Sequence, residues 1–156
     1  MDTSEQVELK GSRTHHLLRE ALAASAEAIA RLAYFRQIAE IEGEASRAEG
    51  FRKAAEMEWV HAHGHIDLLK RAGDPATGLP LGPTRSNLEA TLESEETQAS
   101  ALLTMSRTAS NEGFHDIADW LLTAGRTKQA GLELLRGNED GPAAELPARP
   151  AVEVGQ

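Results

Sequence analysis

Residues 14–32 read THHLLREALAASAEAIARL, and in this stretch Leu18, Leu22, Ser25, Ile29 and Leu32 recur at alternating spacings of four and three. That rhythm sets one stripe on a single face of an α-helix, turned toward a core. Thr14 is suited to be its N-cap, because a hydroxyl there can accept a backbone N–H left free in the first turn. The helix is predicted to run to about Glu42, with Gly43 as its stop.

Working outward, Phe51, Ala54, Glu58, His61, His65 and Leu68 form a second stripe of the same kind, closed by Gly73, Asp74 and Pro75. Gly73, Gly78, Gly82, Pro75, Pro80 and Pro83 then punctuate the chain as far as Ser86. That stretch is too long for a tight turn between neighbours and reads as a crossover. A third helix opens near Ser86 and carries Leu88, Leu92, Glu95, Ala99 and Leu102 until Gly113. A fourth carries Ile117, Leu121, Ala124, Lys128, Gly131 and Leu135. Two helical hairpins joined by one long crossover make an all-α, ferritin-like four-helix bundle. The expected organisation is an N-terminal segment over 1–13, the bundle over 14–136, and a disordered tail over 137–156, where Pro, Glu, Gly and Ala follow no period.

Composition narrows the chemistry. The 156 residues are 40% apolar and 26% charged, enough for one core, and aromatics make up only 4%. There is no cysteine, so any metal must sit on carboxylate, imidazole or water. No apolar run approaches the length of a bilayer span, and Met1 to Leu9 is acidic where a secretion signal would be basic and then apolar, so a cytoplasmic protein is expected. A net charge of −9 without a basic stripe argues against nucleic acid and anionic membranes, both of which bind through Lys and Arg. Small molecules, metals or proteins remain as partners.

Several runs are similar to the rubrerythrin family, in the family's order. They include Leu9 to Thr14, Arg31 to Phe35 followed by Glu42-Gly43, and Glu58 to His65. Further on come Gly73 to Pro80, Asn87-Leu88, Glu112-Gly113-Phe114 and Ile117 to Trp120. The resemblance implies a peroxide-reducing two-iron centre in a bundle that usually dimerises. Hard iron ions want bridging carboxylates and one His each, supplied by a Glu on each of two helices and Glu-x-x-His on each of the other two.

Carried over residue by residue, the resemblance leaves that set incomplete. The first-helix Glu falls on Ser25, while Glu58 and His61 match the first Glu-x-x-His pair and are expected to face the core together. In the third helix, counting from Asn87-Leu88 gives Glu95 and counting back from Glu112 gives Ser94; the deletion of one residue would straighten a bulge there. A further family Glu falls on Gln98 or Thr97. The second Glu-x-x-His pair falls on Lys128 and Gly131, and the family's first-helix tyrosine on Leu32.

Lys128 on an inward stripe needs an anion, and Glu58 or Glu95 could provide it; otherwise its long stem carries the charge to solvent. Glu58, His61 and His65, at spacings of three and four on one helix and with Glu95 as a fourth ligand, could hold a single metal ion, iron included; otherwise they are a remnant in which His61 bonds Glu58 and no metal binds. His15 and His16 read as surface residues without a role, and His63 and His65 as ordinary family pattern. Trp59 and Trp120 read as packing or dimer-interface residues. Of Glu93, Glu95 and Glu96 only one points inward. The expected function is that of a non-catalytic structural, assembly or partner-binding homodimer, with no cofactor or one metal ion. The alternative is a peroxide- or oxygen-reducing enzyme with a reduced or mononuclear iron site.

Overall fold

A computed structural model describes residues 7–137; the expected disordered tail beyond Gly137 lies outside the described residues. Four α-helices follow one another: α1 (Arg13–Ile41), α2 (Ala45–Leu69), α3 (Thr84–Asn111) and α4 (His115–Gly137). This is the all-α element order predicted above, two hairpins and a long connection, and among the described residues no strand occurs. The chain divides into two compact units, 1–90 and 91–156, so that α1 pairs with α2 in the first and the larger part of α3 with α4 in the second.

Within each hairpin the buried residues are mostly small, Leu69 and Leu132 excepted, and mostly recur in steps of seven. Ser25 and Ala39 on α1 and Ala48, Ala62 and Leu69 on α2 are buried in the first unit. Ala99 and Ser106 on α3 and Ala118, Gly125 and Leu132 on α4 are buried in the second. A step of seven keeps a seam between two helices that wind slowly about each other. On α1 this seam runs through the predicted stripe. On α2 and α4 it lies to one side, so Phe51 and Glu58, and likewise Lys128 and Gly131, flank it half-buried. Ser106 ties the second hairpin by donating from Oγ to the Ala118 carbonyl at 2.7 Å.

The hairpin turns share one design. Gly43 has φ 76° and Gly113 φ 90°, the left-handed conformation that ends a helix at little cost only with glycine. In each turn the glycine N–H donates to a carbonyl in the last helical turn (Glu40, Ser110), and the next residue's N–H reaches one residue further back (Ala39, Ala109). At the start of α1 the cap is Ser12 rather than Thr14. Ser12 Oγ accepts from the His15 N–H at 3.0 Å, and His15 Nδ1 accepts from the Gly11 N–H at 3.3 Å. His15 therefore closes a reciprocal cap, a task usually given to Glu or Gln, instead of being a surface residue without a role.

The crossover is held by its own polar groups. Asp74 Oδ2 accepts from the Thr77 N–H and Oγ1, both at 2.8 Å, and the Asp74 N–H donates to the Leu79 carbonyl at 2.7 Å. Gly82 and the Asn87 side chain exchange two hydrogen bonds, and α3 starts at Thr84, ahead of the predicted Ser86. Gly73 has φ 103°, and a Cβ there would lie 2.5 Å from the Gly78 carbonyl oxygen. Gly73→Ala combines a forbidden backbone conformation with a backbone clash, and urea unfolding is expected to show a loss of at least about 2 kcal/mol. Gly78→Ala, where the space is open, is expected to lose less.

On exposed α2, Arg52 grips Glu49 through two hydrogen bonds of 2.7 and 2.8 Å. That grip, and secondarily the charges of Arg52 and Lys53, hold the Glu49 carboxyl down from 4.5 to about 2. A depressed carboxyl stabilises the fold above its unfolded value and loses that effect as pH falls from 4.5 toward 2. A carboxyl titration followed by NMR is expected to place Glu49 near the lower value and to return it toward 4.5 in Arg52→Ala.

Candidate functional site

Each hairpin holds a half-buried polar pair across its two helices whose partners are 33 residues apart. In the first, Ser25 Oγ donates to Glu58 Oε2 at 2.9 Å. Ser25 is buried at 6% exposure, and the hydroxyl thus reaches an oxygen of the carboxylate on α2. His61 stands one turn along α2 with Nδ1 3.5 Å from the same Glu58 oxygen. Its ring is 55% exposed against 31% for the Glu58 side chain, so within this hairpin it stands outside the seam. The reason is the displaced seam: Ala62, not His61, is the buried residue of that turn.

In the second hairpin Lys128 Nζ donates to Glu95 Oε2. The side chains are 30% and 31% exposed, so the pair is half-buried rather than sealed. Of the two alternatives for Lys128, it takes the carboxylate, and within this unit the carboxylate is Glu95. The pair lies in a groove of about 760 Å³ whose walls are mostly apolar, among them Leu102, Trp120, Ala124 and Leu135. Gly131 also borders the groove, and a Cβ there would meet nothing within 4 Å. The other third-helix candidate, Ser94, accepts from Gln98 Nε2 at 2.9 Å. α3 is unbroken α-helix from Thr84 to Asn111, with no bulge at either position.

The remaining sequence candidates are placed apart from these pairs. Leu32 is half-buried. His63 packs its ring against Trp59 with centroids 4.5 Å apart, while His65 is half-buried. Trp59 and Trp120 are 57% and 70% exposed, so neither is buried packing within this chain. Glu96 meets Arg136 at the surface, 3.5 Å away. Among the described residues no three His, Asp or Glu side chains are gathered as a metal ion would require.

One displacement along the chain carries Ser25 to Glu95, Glu58 to Lys128 and His61 to Gly131. The same displacement carries Ala39 to Ala109, Gly43 to Gly113, Ala48 to Ala118 and Ala62 to Leu132. The two polar pairs therefore sit at one register in two hairpins of one pattern, with the chemistry exchanged: a neutral donor faces a carboxylate in the first, and a carboxylate faces a cationic donor in the second. Reading single stripes missed this correspondence, though the repeated Glu-Gly at 42–43 and 112–113 signals it.

Two helical hairpins, each closed at a glycine and each bridged by a polar pair at the same level, make this an all-α protein of four helices. The chain is similar to the rubrerythrins: it is 33% identical over 117 residues to a rubrerythrin from Porphyromonas gingivalis, a match over 70% of this chain. It spans 58% of that relative's length. No family model matches the chain.

Ser25→Ala would leave the partly buried Glu58 oxygen without its hydroxyl donor. Chemical denaturation is expected to show a loss of about 1 kcal/mol. Ser25→Thr, which keeps the hydroxyl, is expected to lose less.

Proposed function

We propose that this protein is a rubrerythrin-like chain that has given up two-iron chemistry and acts as a non-catalytic structural, assembly or partner-binding protein, a homodimer of the cytoplasm. The observation that carries the reading is what the two remaining carboxylates do. Glu58 accepts from Ser25 and Glu95 from Lys128, and both donors stand where the family resemblance expects metal ligands.

The donor set does not fit a pair of iron ions. Divalent metals need anionic oxygens and imidazoles that converge with free lone pairs. At the three altered positions, Ser25 offers a neutral hydroxyl, Gly131 offers no side chain, and Lys128 offers a positive charge that repels metal. An ammonium has no lone pair to offer a metal, and Lys128 donates to the carboxylate that would otherwise be a ligand.

A peroxide- or oxygen-reducing enzyme with a mononuclear site is the rival reading, and the approach of His61 to Glu58 favours it. Two ligands from one helical turn make a weak site, and such an enzyme also needs an open position and an electron donor. The exposed apolar side chains of α2, Met57, Trp59 and Val60, suit the partner-binding reading better, since grouped apolar exposure marks contact surfaces.

Loading the untagged protein with ferrous iron in the absence of oxygen is expected to leave a metal-to-protein ratio near zero, with no peroxide turnover. A ratio near two would overturn the reading. A ratio near one, with turnover abolished in His61→Ala, would establish the mononuclear enzyme instead.

A further inference from the structure

We propose that the Lys128 ammonium is the resident cation of the α3–α4 hairpin: it neutralises Glu95 and closes that position to divalent metal ions. The inference deepens the non-catalytic reading, since it names what occupies one half of the altered site and what that occupant excludes.

Three observations support it. First, Lys128 Nζ donates directly to Glu95 Oε2, and both side chains are less than one-third exposed, in a groove walled largely by apolar groups. An ammonium in such surroundings is held by its counter-ion more firmly than on an open surface, where water and salt screen the pair. Second, the partner is specific to the hairpin. Lys128 sits on α4 at the level where α2 carries Glu58, and Glu95 sits where α1 carries Ser25. A cation thus replaces an anion at one corner of a repeated pattern, opposite the one carboxylate retained there.

Third, the space a metal ligand would need is present but unused. Gly131 is one turn from Lys128, corresponds to His61 in the first hairpin, and a Cβ there would meet nothing within 4 Å beyond its own helix. Steric closure therefore does not keep a cation out at this level; the fixed positive charge does. Swapping that charge for a carboxylate and filling Gly131 with imidazole would place a Glu-x-x-His pair on α4 facing Glu95, with three donors within the one hairpin.

The test uses the full-length chain, cobalt(II) as the probe, and urea unfolding alongside visible absorption. The wild type is expected to show no cobalt binding that depends on Glu95. Lys128→Met is expected to lower the folding equilibrium constant roughly tenfold, while Lys128→Arg, which retains the charge, stays near wild type. Lys128→Glu combined with Gly131→His is expected to bind cobalt at least about tenfold more tightly than the wild type, with the visible bands of nitrogen and oxygen ligation, and to lose them when Glu95→Gln is added. Circular dichroism confirms that each variant is helical before titration.

The proposal is overturned by wild-type cobalt binding that Glu95→Gln abolishes, by a Lys128→Met variant as stable as wild type, or by a folded double variant that takes up no cobalt. Peroxide turnover by the wild type would sink the non-catalytic reading and leave these Lys128 measurements unaffected.

Discussion

A carboxylate held between two helices must be given a partner, and in each hairpin of this protein the seam decides which partner it meets. Small residues repeated in steps of seven draw the paired helices close; a Cβ on Gly125 would lie 3.0 Å from Leu103 and 3.4 Å from the Ala99 carbonyl. At such separation the short Ser25 side chain spans the first hairpin to reach Glu58. The polar pairs follow from that closeness. They add registry to seams that alanine alone would leave free to slide, because a buried or half-buried polar group is stable only opposite its complement.

The two pairs differ in kind. A hydroxyl donated to a carboxylate leaves the negative charge in place and only satisfies a lone pair. An ammonium satisfies the lone pair and cancels the charge as well. Glu58 retains access to solvent at 31% exposure, and His61 stands nearby, so its charge is tolerated by hydration. Glu95 is similarly exposed but lies in a more apolar groove, where cancellation matters more.

Much of this architecture was legible in the residues. The stripes on α1 and α3, the glycine stops at Gly43 and Gly113 and the proline-rich crossover all follow from periodicity and backbone chemistry, and the structure follows them closely. On α2 and α4 the hairpin seam lies beside the predicted stripe. The stripe residues mix apolar and ionisable side chains, whereas the seam is built of Ala48, Ala62 and Leu69 on α2 and Ala118, Gly125 and Leu132 on α4, mostly small residues whose burial carries little hydrophobic signature. The cap at Ser12 was missed because Thr14, two residues on, is as well suited to the task, and which hydroxyl accepts the His15 N–H is decided by the fold. Exposure of His61 was also beyond a helical-wheel argument, since residues one position apart, His61 and Ala62, take opposite environments when the seam shifts. That Lys128 needs an anion could be argued from cost alone; that Glu95 supplies it needed three-dimensional placement.

The shared register of the hairpins has a consequence for how such a chain can change. Halves that repeat a pattern offer the same positions at each level, yet here a neutral donor meets a carboxylate in one half and a cationic donor meets one in the other. Because each polar group is answered inside its own hairpin, Glu58 by Ser25 and Glu95 by Lys128, the character of one pair does not constrain the other. One helical frame can therefore carry different polar chemistry at the same level of its two hairpins without either seam losing its partner.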